Sequence, residues 1–362
     1  MTTVRHLVKG LGPGGAERLI VAQITAPSTG VGHTAAYLVP EKDHLVPELR
    51  EAGVDPVCLD DSSGPGWVLR LRALLRDEPT DVVHVHSPAV AAVVRVVART
   101  LPRAKRPVIV GTEHNRWPRH HPLTRLANRL TIRLEAATIA VSDDVASTVR
   151  GARAGQLRTV IHGIDLDAVR ATTDRSAVRT ELGLPEDAFV FVCVANLRRE
   201  KALDELVEAA RRVVAERADI HYVLVGQGPL AADLDRWIAD AGVDANVHAI
   251  GYRSDATRIV SAADAFTMSS HHEGLPVSVM EALALGLPVV ATAAGGIPSA
   301  VLDAGVVTPI GDPTALADSQ LRVATDDRLR QELAAHAATR ADDFSIRRAV
   351  AEIEAVYDTV TS

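Results

Sequence analysis

The sequence predicts an α/β fold of two Rossmann-like domains, each a parallel sheet covered by helices. Three observations carry that prediction. Short apolar runs alternate with amphipathic stretches along most of the chain, the rhythm of strand and crossover helix. The rhythm loosens once, in the polar stretch 161–179 (IHGIDLDAVRATTDRSAVR), and then restarts. At 362 residues the chain is long for a single core. The first domain is expected over 1–168, completed by the C-terminal helix 345–362, and the second over 169–344.

The elements follow in order. Strand-like runs at 4–8, 34–39, 82–85, 108–111 and 138–141 are separated by helical patterns such as 16–26, 68–76 and 89–100. After the junction, strands at 190–195, 221–225, 247–250, 265–268 and 288–291 alternate with helices near 202–216, 231–241, 257–262 and 277–285. The last segment is an amphipathic helix with Ile346, Val350, Ile353, Val356 and Tyr357 as its apolar stripe. It is expected to pack back across both domains. Ligands of such sheets bind outside the carboxyl ends of the strands, so both sets of strand ends are expected to face a shared cleft.

A net charge of −7 argues against a general nucleic-acid binder, which needs a basic face. Cys58 and Cys193 fall in different domains and read as buried, reduced thiols of a cytoplasmic protein. The first nine residues lack the long apolar core of a signal peptide. The longest apolar candidate for a membrane span, 89–98, is short and broken by Arg95.

Several segments carry chemistry. Gly10, Gly12 and Gly15 fit the spacing G-x-G-x-x-G after the first strand, and Glu41 after the second strand could serve a dinucleotide's ribose. A glycine loop facing another phosphate ligand is the alternative. In SSHHEGLPVSVMEALALG, Glu273 lies on a loop after a strand and Glu281 about one turn into the next helix. That helix start offers unpaired N–H groups and a positive dipole end, and an early acid can accept paired hydroxyls, as from a ribose. In VANLRREK, Arg198, Arg199 and Lys201 gather at a strand's carboxyl end, where cations suit a diphosphate. Gly226 and Gly228 in VGQGPL fit either a backbone passing close to a ligand or a plain tight turn. His114 ends another strand in VGTEHN, and His84 and His86 (HVHSP) are weaker candidates of the same kind.

Taken together and in order, these segments resemble retaining glycosyltransferase family 4, which has the GT-B architecture. The resemblance covers nearly the whole chain and rests on GGAER, TEHN, VSDDV, HGID, NLRREK, VGQGPL, HEGLPVSVMEALALGLPVVAT and GGIP. It implies a hexosyl transfer from a nucleoside-diphosphate sugar to an acceptor hydroxyl, with retention and with no metal or other cofactor. A UDP-sugar such as UDP-GlcNAc or UDP-glucose is the expected donor, and GDP-mannose the alternative. A catalytically silent binding or scaffold subunit of the same fold is the alternative of another class. By resemblance, Gly14 and Gly15 approach the donor diphosphate and Lys201 binds it. Glu281 holds the ribose, and Glu273 with Gly274, Leu275, Pro276 and Val277 contacts sugar and phosphate. Asn196 and Gly226 line the donor site, Tyr252, Arg253 and Ser254 border the base, and His114 lies beside the reacting sugar. The family often has Arg where Asn196 stands, so Arg198, in preference to Arg199, is expected to supply the second cation. The family's usual NGID is HGID here. The second half thus carries a fuller phosphate and ribose site than a dehydrogenase reading explains.

The stretch 116–135 is the strongest charge bias in the chain. Arg116, Arg119, Arg125, Arg129 and Arg133 occur with no acid before Glu135. Arg125, Arg129 and Arg133 share one helix face, and Leu123, Leu126, Leu130 and Leu134 make the other. The expectation is a core-packed helix with a solvated arginine face. The alternative is peripheral contact with anionic lipid at the inner membrane face, or with a phosphorylated acceptor.

Overall fold

The computed structural model describes residues 1–27, 30–60, 62, 64–171 and 174–362; residues 172 and 173 of the expected junction lie outside them. The chain divides into two compact units, Met1–Ile164 with Ser345–Ser362, and Asp165–Phe344. The first ends at Ile164 rather than at 168, because Ile164 forms a β-bridge with Ser345, where the C-terminal helix rejoins that unit.

The first unit holds strands β1 (Thr2–Val8), β2 (Val31–Tyr37), β3 (Val57–Cys58), β4 (Val82–Val85), β5 (Val108–Glu113), β6 (Ala137–Ala140) and β7 (Leu157–Thr159). They form one parallel sheet in the order β3-β2-β1-β4-β5-β6-β7. The second unit holds β8 (Phe189–Val194), β9 (Ile220–Val225), β10 (Val247–Gly251), β11 (Ala265–Met268), β12 (Val289–Thr292) and β13 (Gly305–Thr308). Its parallel order is β10-β9-β8-β11-β12-β13. Central strands such as VVHV of β4 and AFTM of β11 are buried throughout, which is why they read as continuous apolar runs. Strand order reverses between β1 and β4 in one sheet and between β8 and β11 in the other. Such switch points open a crevice at the strands' carboxyl ends.

Helix Ile346–Thr361 packs on the first unit through buried Ile353, Val356 and Tyr357, in one cluster with Val4, Val110 and Ile139. Tyr357 Oη accepts from Gln23 Nε2 at 3.0 Å and lies 2.6 Å from His84 Nδ1. His84 begins a buried group of imidazoles. His6 pairs with His84 in strand register, and His86 lies two residues on, on the same sheet face. His6 Nδ1 is 3.0 Å from His86 Nε2, and His6 Nε2 is 3.0 Å from His33 Nδ1. Ring nitrogens of His6, His84 and His86 lie within 4.8 Å of one another, close enough for a shared metal ion. Hydrogen bonds already engage both nitrogens of His84 (Tyr357, Thr112) and both of His6. Neutral imidazoles, each with one donor and one acceptor, satisfy this chain. Burial pushes His6, His84 and His86 well down, His162 to about 4 and His114 to about 3.

Two features of the first unit depart from the sequence expectation. Cys58 is half-buried in the short edge strand β3, whereas Cys193 is fully buried. Helix Pro122–Thr131 gives way to a 3-10 turn, Ile132–Leu134, so Arg133 leaves the α-helical face and donates to the Gly151 carbonyl at 3.0 Å.

Glu113, at the end of β5, is a buried acid raised to about 8 by desolvation and by the nearby Glu135 carboxylate. Folding therefore favours its protonated form and the neutral form of the imidazoles, and the two preferences pull stability in opposite directions with pH. A histidine with a depressed folded pKa loses stability as pH falls below its ordinary 6.5, by roughly 1.4 kcal/mol per pH unit. A carboxyl with a raised folded pKa loses stability as pH rises from 4.5 toward about 8, at the same rate. Below 6.5 the histidines outnumber the raised carboxyls Glu113, Glu17 and Glu135; above it the histidines no longer contribute and the carboxyls set the slope. Denaturant midpoints should thus peak near pH 6.5, and Glu113→Gln should make the alkaline limb shallower and the acid limb steeper. A flat profile down to pH 5 would contradict the neutral cluster.

Candidate donor site at the switch point of the second unit

β8 and β11 flank the switch point, and the loops leaving them carry the charged motifs. Lys201 Nζ lies 2.5 Å from Glu273 Oε1, and Ser270 Oγ donates to the same oxygen at 2.6 Å. The two charged side chains are only 17% and 9% exposed, so this ion pair is shielded from solvent. Ser269 Oγ reaches the carbonyls of Lys201 and Ala202 at 2.8 and 2.9 Å. Thr292 Oγ1 donates to the Ser270 carbonyl at 2.5 Å, and the His271 N–H to that of Glu200 at 2.9 Å. The chain turns into helix Leu203–Glu216 through Ala202, whose left-handed backbone (φ 45°, ψ 48°) costs an L-residue strain.

Helix Val277–Ala284 begins next to this pair. Its N-cap, Pro276, gives no side-chain cap, and its first turn holds no acid, so its positive end is open to an anion. Gly274, Leu275 and Val277 are half-buried around it. One turn in, Glu281 accepts from Thr257 Oγ1 at 3.0 Å, which ties it to the segment following β10. In that segment Tyr252 is 47% exposed and Ser254 is exposed. Arg253 is engaged by Asp255 and Glu181, both at 2.7 Å, and these hydrogen bonds hold its pKa up. Its charge serves the turn. Asn196, Arg198 and Arg199 are exposed, and neither arginine has an ion pair among the described residues, so geometry does not separate them.

The motif glycines answer a packing demand. A Cβ on Gly226 would lie 1.9 Å from the Ala195 carbonyl oxygen, and one on Gly228 2.4 Å from that of Leu197. A Cβ on Gly295 would lie 1.9 Å from the Glu273 carbonyl oxygen, and one on Gly296 2.1 Å from that of Gly274. VGQGP thus presses on the loop bearing Lys201, and GGIP on the loop bearing Glu273.

The remaining candidate residues lie in the first unit. His114 follows β5; its Nε2 is buried without a partner, and its ring stacks at 5.3 Å on His162, whose nitrogens are likewise unpartnered. With its pKa depressed to about 3, it acts as a neutral donor or acceptor. Gly14 caps helix Gly15–Thr25 with no side chain, but Glu17 in the first turn crowds it. Burial pushes the Glu17 carboxyl up. A diphosphate at Gly14 and Gly15 would have to share that helix end with this acid. Sequence reasoning missed Ser269, Ser270, Thr257 and Thr292, whose hydroxyls hold the charged residues. SSHHEG already displayed the two serines, but nothing in a linear pattern aims a hydroxyl.

Gly295 has φ +55°, and Gly311, with φ +77°, has open space where a Cβ would go. Both alanine variants bear the left-handed cost of about 1–2 kcal/mol, so the difference between them reports the loop clash. Gly295→Ala should melt several degrees below Gly311→Ala. Equal melting points would mean that the loops are not in tight contact.

Residues 3–168 match the family described as Glycosyltransferase Family 4, and 174–340 match Glycosyl transferases group 1. The chain is 31% identical over 253 residues to the D-inositol 3-phosphate glycosyltransferase of Saccharomonospora viridis, covering 65% of this chain and 58% of that protein. It is 25% identical over 347 residues to the UDP-Gal:alpha-D-GlcNAc-diphosphoundecaprenol alpha-1,3-galactosyltransferase of Escherichia coli, covering 88% and 86%. HepE of Anabaena, solved with UDP and glucose, superimposes with a TM-score of 0.87 at 19% identity, over 99% of this chain and 100% of that one, which shows the fold. Against the first curated relatives the chain spans 58% and 53% of their length. Two parallel Rossmann-like units of GT-B type and two family matches that together run along the sequence lead to one conclusion: the chain belongs to the family 4, group 1 glycosyltransferases.

Proposed function

We propose that this protein transfers a hexosyl unit from a UDP-sugar to an acceptor hydroxyl, with retention of anomeric configuration and without a metal. The observation that carries the reading is the Lys201–Glu273 pair beside the open helix end at Val277. A departing diphosphate gains negative charge, and an ammonium with a helix N-terminus is a fixed electrostatic partner for it. Lys201 has three donors, so it can keep Glu273 on one and offer the others to phosphate. Arg198 or Arg199 supplies a second cation from solvent. Glu281, held by Thr257, takes the ribose hydroxyls. Glu273 and the amides after Gly274 contact the sugar, and the leaving phosphate oxygen accepts the acceptor's proton on the face it departs from. His114 and the Gly14–Gly15 turn belong to the first unit and act there as a neutral hydrogen-bonding group and a backbone contact. The named relatives use acceptors that carry phosphate, an inositol 3-phosphate and a diphospholipid glycan, and an anionic acceptor is the natural extension to this chain.

Lys201→Ala should lower turnover by about 10²–10³-fold, the usual cost of one preorganised donor to a developing anion, with the fold retained by circular dichroism. Glu273→Gln should slow turnover while binding UDP at least as tightly as the native protein, since it removes a negative charge beside the diphosphate. A parallel loss of UDP affinity would turn Glu273 into a mere loop support. Calorimetry with UDP and 2′-deoxy-UDP should show discrimination that Glu281→Ala abolishes. Exhaustive EDTA treatment should leave UDP release intact; loss restored by a divalent ion would replace the cationic side chains with a metal in this reading.

A further inference from the structure

The expected burial of the leucines in the basic helix is overturned. Leu123, Leu126 and Leu130 of helix Pro122–Thr131 are 71%, 54% and 73% exposed. The polar side faces inward instead. Asn128 is fully buried and donates to the Pro88 carbonyl at 2.8 Å. It also accepts, at 2.7 Å, from Arg95, a fully buried guanidinium paired with Glu135. Beside this helix, Trp117 and Ser147 complete a cavity of about 510 Å³ lined by Arg116, Arg125, Arg129 and Arg150. Among the described residues Arg125 and Arg129 have no acid partner and Arg150 bonds only backbone oxygens, while Arg116 pairs with Asp144 at 3.6 Å.

A helix of a water-facing surface buries its leucines and balances its arginines. This one exposes three leucines beside four cations in a chain whose net charge is −7. We infer that this face docks on an anionic lipid bilayer. The leucines enter the boundary between headgroups and acyl chains, and the arginine cavity receives a lipid phosphate. Charge complementarity selects the occupant, because an apolar protein partner would leave the arginines buried and unpaired. No helix among the described residues is long and apolar enough to cross a membrane, so the contact is peripheral. The inference is independent of the donor site and stands or falls separately from the transfer reaction.

The test is sedimentation of the whole chain at low salt with vesicles of phosphatidylcholine alone and with added phosphatidylglycerol. The protein should pellet only with the anionic vesicles and be released by raised salt. Arg125→Glu with Arg129→Glu, and separately Leu123→Ser with Leu130→Ser, should each lower partitioning by about tenfold or more, with unchanged melting curves. Pyrophosphate should release the protein no better than chloride of equal ionic strength. No binding to anionic vesicles, equal binding to neutral ones, or well-folded variants that bind like the parent would each overturn the inference. Selective release by pyrophosphate would also do so, by making the cavity a site for free anions.

Discussion

The loops at the switch point of the second unit are joined by one ion pair formed across 72 residues of sequence, Lys201 with Glu273. It joins the loop leaving β8 to the loop leaving β11, at the point where the sheet reverses its strand order. Each motif nearby supports that junction: Ser269 and Ser270 bond across or within it, and the glycines of VGQGP and GGIP let neighbouring backbones close on its two halves. The glycine-rich loops are therefore conditions for placing two charges before they are contacts to any ligand. An ammonium held this way is also preorganised, since its partner fixes it without consuming its other donors.

The first unit uses the opposite device. Its switch point, between β1 and β4, is lined by imidazoles kept neutral by burial. Glu113, next to His114, favours its protonated form for the same reason. One unit thus presents fixed charge at its strand ends and the other presents neutral hydrogen-bonding groups.

What could be read in the sequence follows from burial. Strands buried on both faces, such as β4 and β11, are legible as apolar runs and fall where expected. The short strands β3 and β7, and β13, were not visible: they span two to four residues, and Val57, Arg158 and Thr159 are exposed. Helix Asp327–Arg340 buries only Leu333 and Ala337, too few to mark a stripe. Lys201, Glu273 and Glu281 stood out through residue type at strand and helix ends. The hydroxyls that hold them did not, because a serine's partner is fixed only when distant segments meet. Arg253 looked available to a ligand for the same reason; its acid partners lie nearby in space and, for Glu181, 72 residues away in sequence.

Arg95 shows how one buried charge can decide an outer surface. In sequence it merely interrupts an apolar run. In the fold its guanidinium, 1% exposed, is met by Glu135, Asn128 and Thr131. Glu135 neutralises it from outside helix Pro122–Thr131, and Asn128 and Thr131 of that helix accept its remaining N–H groups; turning the helix would leave those buried donors unsatisfied, so its polar side faces inward. Helical periodicity then leaves Leu123, Leu126 and Leu130 no position except outward. Hydrophobic burial alone would have turned the helix the other way. The buried hydrogen bonds to Arg95 hold that orientation in the fold, and the burial of three leucines, worth roughly 1.5–3 kcal/mol each, is left to be gained where they meet an apolar medium. A bilayer surface is such a medium, and the arginines beside those leucines carry the charge that would draw the helix to it.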